Sequence, residues 1–129
     1  MTGEDQVWFA ESALVVDDDQ EMCWVLEVTL ASVGCVATVA CSAQAAIALA
    51  GEHIFPIAFV DARLPDMDGL RLVEELQALQ PRIRITVISG YFFEDDERIC
   101  EAIQERKIHG FLAKPFEIDA IVGAAGVRR

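Results

Sequence analysis

Five short apolar runs, each four to six residues long, alternate along this chain with longer segments of helical character. The runs fall at 13–16, 36–40, 57–60, 83–88 and 110–113, and several are rich in Val, Ile and Phe, as buried strands are. The helices are expected near 20–33, 43–52, 69–79, 95–107 and 117–125. In the third, Leu72, Val73, Leu76 and Leu79 share one face, with Arg71, Glu74, Glu75 and Gln77 between them; Pro81 then stops it. Gly34 is a stop for the first helix and Ser42 an N-cap for the second. The fourth runs from Glu94, Asp95, Asp96 and Glu97 to Arg106 and Lys107, a charge order that suits the helix dipole. The fifth is weak, since Gly123 and Gly126 would each cost about 1 kcal/mol in a helix interior. Trp8 and Phe9 precede the first strand and are expected to pack on the sheet edge or a neighbouring helix.

Strict alternation of strand and helix predicts an α/β domain, a parallel sheet with helices on both faces. The length of 129 residues fits one domain spanning 1–129 with its core at about 13–125. Only 14 residues follow Pro115, so no output domain is expected in this chain. A hydrophobic share of 53% suits strands buried on both faces. The net charge of −12 argues against direct nucleic-acid binding, because an acidic surface repels phosphate backbones. Cys23, Cys35, Cys41 and Cys100 lack metal or redox-motif spacing and read as small buried hydrophobes in a reducing compartment. His53 and His109 have no partner in sequence and read as structural or exposed. Neither a secretory segment nor a membrane span stands out, so a cytoplasmic protein is expected.

Chemistry enters at the strand ends. Val15-Val16 runs into Asp17-Asp18-Asp19, Phe59-Val60 into Asp61, Val87-Ile88 into Ser89-Gly90, and Leu112-Ala113 into Lys114-Pro115. Each signal alone is weak, since an Asp after a strand is ordinarily a turn former or cap. The carboxyl ends of parallel strands share one edge, however, where ligands bind at the topological switch point. Carboxylates converging there repel one another unless a cation separates them. Mg²⁺ is the cation expected, since it takes hard oxygen ligands, and Asp17, Asp18 and Asp61 supply them. With Lys114 opposite and the Ser89 hydroxyl nearby, an Asp in this setting can attack phosphorus.

The segments LVVDDD (14–19), FVDARLPDMDG (59–69), VISG (87–90) and FLAKPF (111–116) resemble the receiver domain of bacterial response regulators, over 14–122. The resemblance implies a flavodoxin-like (βα)5 fold with strand order 2-1-3-4-5. It implies that Asp61 takes a phosphoryl group from a histidine kinase or phosphotransfer protein. Asp17, Asp18, Asp61 and the Arg63 backbone carbonyl would hold Mg²⁺, Lys114 and Ser89 would contact the phosphoryl group, and the Lys114–Pro115 peptide would be cis. Ser89 and Phe111 would be the switch pair, repacking the face made by the fourth helix, fifth strand and fifth helix. Its target would be a downstream protein or an output domain, and a homodimer is a candidate assembly.

Tyr91 and Arg63 are expected to flank the phosphoryl site and slow attack by water. The adjacent Tyr91, Phe92 and Phe93 are read as packing over the sheet edge or as a contact surface. The only chemistry expected is self-directed phosphoryl transfer and slow autodephosphorylation, so the chain is not read as an enzyme. A haloacid-dehalogenase-type phosphatase would place a second Asp two residues after the nucleophile, where this chain has Arg63. The alternative is a receiver-like interaction module that works without phosphorylation.

Overall fold

In the computed structural model, the residues described are 7–90, 97–105, 107–114 and 118–128. The elements run β1 (Val7–Phe9), β2 (Ser12–Val16), α1 (Gln20–Ala31), β3 (Val36–Ala40), α2 (Ala43–Glu52), β4 (Ile57–Asp61), α3 (Gly69–Leu79), β5 (Arg84–Ser89), α4 (Glu97–Gln104), β6 (Gly110–Ala113), α5 (Ile118–Ala125) and β7 (Gly126–Arg128). Five strands form a parallel sheet in the order β3-β2-β4-β5-β6. Counted among these five alone, that is the expected 2-1-3-4-5.

The sheet is buried on both sides because its strands alternate between two cores. Leu14, Val16, Ala58 and Val60 face α2, α3 and α4, packing with Ala46, Leu72, Leu76 and Ala102. Ala13, Val15, Ile57 and Phe59 face α1 and α5, packing with Leu26, Leu30 and Ile121. This double burial explains why the strands read as continuous apolar runs rather than alternating ones.

Gly34 ends the first helical segment as expected, with φ of +79° two residues beyond the observed C-cap, Ser32. Ser42 caps α2, its hydroxyl accepting from the Ala45 N–H at 3.1 Å.

Other expectations need correction. Leu79 shares the face of Leu72 and Leu76 but lies outside the core at 47% exposure, at the last residue of α3. Cys23 and Cys35 are buried, but Cys41 is exposed and Cys100 only partly covered. Gly126 begins a strand rather than weakening a helix: β7 pairs antiparallel with β1, Phe9 opposite Gly126, and the Ala10 N–H donates to the Ala125 carbonyl at 3.1 Å. The segment before the first core strand is therefore tied to the end of α5 by backbone pairing. His109 is structural, as expected: its Nδ1 accepts from the Ile85 N–H at 3.2 Å and its backbone N–H donates to the Ile85 carbonyl at 2.7 Å. Tyr91, Phe92, Phe93, the acidic stretch 94–96, Arg106 and the Lys114–Pro115 peptide lie outside the described residues.

At the end of the sheet away from the acidic strand ends, Gln80 closes the backbone around α2. Its Oε1 accepts from the Phe55 N–H at 2.8 Å, while Nε2 donates to the carbonyls of Ala50 at 2.9 Å and His53 at 2.6 Å. Gln80→Ala should cost about 2 kcal/mol, because it strips partners from backbone groups that are largely shielded from water. Urea denaturation of wild type and variant measures this, and Mg²⁺ binding should be unaffected.

Candidate functional site

Four strand ends meet at one edge. Beyond the strands themselves, the Asp17 N–H donates to the Ala40 carbonyl at 3.1 Å, Ala62 N–H to Ile88 at 2.8 Å, and Lys114 N–H to Ser89 at 2.8 Å. The ladder thus continues past each strand and fixes the polar residue that follows it. β2 lies between β3 and β4, where the chain reverses its direction across the sheet, so the edge is a switch point of the expected kind.

The edge opens as a cleft of about 390 Å³ lined by Asp17, Asp18, Asp19, Asp61, Arg63, Leu64, Pro65 and Lys114. Asp17, Asp18 and Asp61 each offer a carboxylate oxygen, all within 4.8 Å of one another. Lys114 Nζ donates to Asp17 Oδ2 at 3.1 Å and to Asp61 Oδ2 at 3.5 Å. Asp17 Oδ1 accepts from the Asp19 N–H at 2.9 Å, and Asp61 Oδ1 from the Arg63 N–H at 3.0 Å.

Burial pushes the Asp17 carboxyl above its ordinary value of 3.8, and neighbouring Asp61 adds to the rise; the Asp19 N–H and Lys114 oppose it without cancelling it. Burial also works against the charge on Lys114, yet Asp17 and Asp61 outweigh it and hold the ammonium above its ordinary 10.5. One lysine therefore faces three carboxylates, two of them buried. A divalent cation fits this set: the donors are hard oxygens, they are close enough to share an ion, and their mutual repulsion is what the ion relieves.

Ser89 reaches the same edge but is fully buried and is not part of the cleft wall. Phe111 is half-buried against the core on the α2–α4 side of the sheet. Arg63 is exposed on the cleft wall as expected, whereas its proposed companion Tyr91 lies outside the described residues.

The loop after Asp61 carries residues that the sequence reading left without a role. Gly69 starts α3 pressed against the backbone of Asp61 and Ala62, and its N–H donates to the Ala62 carbonyl at 2.9 Å. Asp68 caps α3 through the Leu70 N–H at 2.8 Å and meets Arg98 of α4 at 2.8 Å. Asp66 reaches to α2, its two oxygens accepting from the N–H groups of Ala43 at 2.9 Å and Gln44 at 3.0 Å. Asp19 caps α1 through the Glu21 and Met22 N–H groups at 3.0 and 3.3 Å. Proximity to a helix start, an Asp just before an apolar periodic stretch, was the available signal for Asp19 and Asp68; nothing local marks Asp66.

A model of the response regulator receiver domain family matches residues 13–125. Among curated proteins, the chain is 32% identical over 108 residues to the transcriptional regulatory protein ZraR of Salmonella typhimurium, covering 84% of this chain and 24% of that protein. It is 32% identical over 116 residues to the C4-dicarboxylate transport transcriptional regulatory protein DctD of Rhizobium meliloti, covering 90% of this chain and 25% of that one. The chain thus spans about a quarter of the length of these relatives. Among solved structures, a response regulator protein from Burkholderia pseudomallei, with a phosphorylated aspartic acid, calcium ion and citrate, superposes with a TM-score of 0.76 at 32% identity, covering 89% of this chain and 66% of that one. A CheY-like receiver domain protein from Methanospirillum hungatei superposes with a TM-score of 0.79 at 23% identity over 88% of each chain, a likeness of fold.

Proposed function

Because the chain belongs to the response regulator receiver domain family, a family of phosphoacceptor switches whose chemistry is self-directed, we propose that Asp61 is its phosphoacceptor. The single observation behind this is the cleft in which Asp17, Asp18 and Asp61 converge within 4.8 Å while Lys114 reaches Asp61 from within 3.5 Å. Asp17, Asp18, Asp61 and the Arg63 carbonyl would hold Mg²⁺. When bound, the ion neutralises phosphoryl oxygens and the crowded carboxylates.

The donor is the phosphohistidine of a histidine kinase or phosphotransfer protein. An Asp61 carboxylate oxygen forms a bond to phosphorus as the bond from phosphorus to the imidazole nitrogen breaks, and the electron pair leaves with the imidazole. Lys114, already poised over Asp61, then pairs with a phosphoryl oxygen in place of a carboxylate. The Arg63 N–H on Oδ1 fixes the rotation of the nucleophile.

Switching follows from the position of Ser89. Ser89 is fully buried at the end of β5, so contact between its hydroxyl and a phosphoryl oxygen would come with a local rearrangement there. Phe111, half-buried on the adjacent strand, takes up the space this opens and alters the surface of α4, β6 and α5. Moving a two-state equilibrium from 1:99 to 99:1 takes about 5.5 kcal/mol, part of which new charge-assisted bonds from Ser89 and Lys114 would supply. That surface acts on a downstream protein or an output domain, with homodimerisation one form of response. Among the described residues no helix is long and apolar enough to cross a membrane, and a cytoplasmic setting fits a kinase donor.

The test is incubation with acetyl phosphate, with and without Mg²⁺, followed by intact mass and peptide mapping. A single phosphoryl adduct is expected, dependent on Mg²⁺ and carried by the peptide containing Asp61. An adduct on the Asp17–Asp19 peptide would reassign the acceptor. No adduct at all would favour an interaction module that works without phosphorylation.

A further inference from the structure

Among the described residues, the cleft has two kinds of wall. One is made of strand ends, held by the sheet. The other is residues 63–65 of the β4–α3 loop, and the sheet does not hold a loop. Its base is fastened by the bridge between Arg63 and Asp68 and by the Gly69 N–H on the Ala62 carbonyl. Its tip is fastened from Asp66, which grips the first turn of α2 with both carboxylate oxygens.

That grip is not the ordinary N-cap of α2, because Ser42 already supplies one on the Ala45 N–H. Asp66 takes the two earlier N–H groups, those of Ala43 and Gln44, which a single capping residue leaves open. These two bonds hold the Asp66 carboxyl below its usual range, so it stays ionised at neutral pH. Asp66 is exposed and lies one residue past the cleft wall, so it has no place in the core and does not line the cleft.

We propose that Asp66 is a positioning residue for the acceptor site: by clamping the loop to α2 it holds residues 63–65 against the cleft, where the Arg63 carbonyl completes the cation site. The proposal rests on the phosphoacceptor reading above. The clamp acts on the cation site through the Arg63 carbonyl, and on the nucleophile only through the Arg63 N–H that orients Asp61. Its loss should therefore weaken metal binding more than it slows transfer at saturating Mg²⁺.

Calorimetric titration of MgCl₂ into the unphosphorylated protein tests this without any activity. Asp66→Ala should weaken Mg²⁺ binding about tenfold, at the low end of the loss seen when supporting partners of metal ligands are removed. Asp66→Asn, which keeps one anchoring oxygen, should fall between that and the wild type. Ser42→Ala is the discriminating control, for it removes a cap from the same helix without touching the loop, and should stay within about twofold of wild type. Wild-type affinity in Asp66→Ala overturns the clamp. So does an equal loss in Ser42→Ala, which would trace the effect to fraying of α2. A wild type that binds no Mg²⁺ overturns the cation assignment beneath it, and the clamp with it.

Discussion

Replacing Gly69 with valine will destabilise the domain by about 3 kcal/mol or more, lower its thermal midpoint by roughly 10 °C, and weaken Mg²⁺ binding in the same protein. A Cβ at this position would lie 2.6 Å from the Ala62 Cα and 2.9 Å from the Ala62 carbonyl carbon, with the Asp61 carbonyl oxygen closer still. All three are backbone atoms, so no side chain can swing aside. Relief requires α3 and the acceptor loop to separate, which breaks the bond from the Gly69 N–H to Ala62 and displaces the residues next to the nucleophile. Stability and metal affinity should therefore fall together. Gly51→Ala is the control: a Cβ there meets nothing within 4 Å, and the position is helical, so the change should be neutral or stabilising by up to about 1 kcal/mol. Thermal melts by circular dichroism and Mg²⁺ titration check both. A Gly69→Val protein with wild-type midpoint and affinity would show that the close approach costs nothing.

Gly69 also marks the limit of what the sequence makes legible. The glycine stands in a readable motif, but the reason for it is a distance between two backbones, and residue order carries no such distance. The acid cleft was legible for the opposite reason. In a parallel sheet every strand delivers its carboxyl end to one edge, so Asp17, Asp61, Ser89 and Lys114 could be grouped without knowing any contact. The same rule groups by edge and not by exposure, and so gave no sign that Ser89 would be buried while Lys114 reaches the cleft. Asp66 was hidden because its partners, Ala43 and Gln44, lie more than twenty residues away and contribute only main-chain N–H groups. The β1–β7 pair escaped because three residues are too few to show a period. Leu79 lies on the face read for it yet is exposed, because helical periodicity defines a face but not where a neighbouring element ceases to cover it.

A second large effect separates stability from chemistry at one residue. Asp17→Asn should raise the stability of the metal-free protein by about 1 kcal/mol while weakening Mg²⁺ binding about a hundredfold, with phosphoryl transfer falling in step. Asp17 is 1% exposed, and both burial and Asp61 disfavour its ionised form. Asparagine has the same shape and can still accept from the Asp19 N–H, yet brings no charge. Lys114 is not orphaned, since Asp61 remains within 3.5 Å of it. The pH dependence fixes the sign. An acid whose folded pKa is raised destabilises the fold when ionised, so the variant's advantage should be largest where Asp17 is ionised in both the folded and the unfolded chain. It should shrink as acidification protonates Asp17 in the wild-type fold, and disappear below its ordinary 3.8, where the side chain is neutral in both folded and unfolded chains. Added Mg²⁺ should reverse the ranking, because it stabilises the tighter-binding wild type more than the variant. Melting curves of both proteins at neutral and acidic pH, with and without Mg²⁺, give the answer. A variant less stable than wild type in the absence of metal would mean that the ion pair with Lys114 outweighs the cost of burying Asp17, and that the cleft is held together by its charges and not in spite of them.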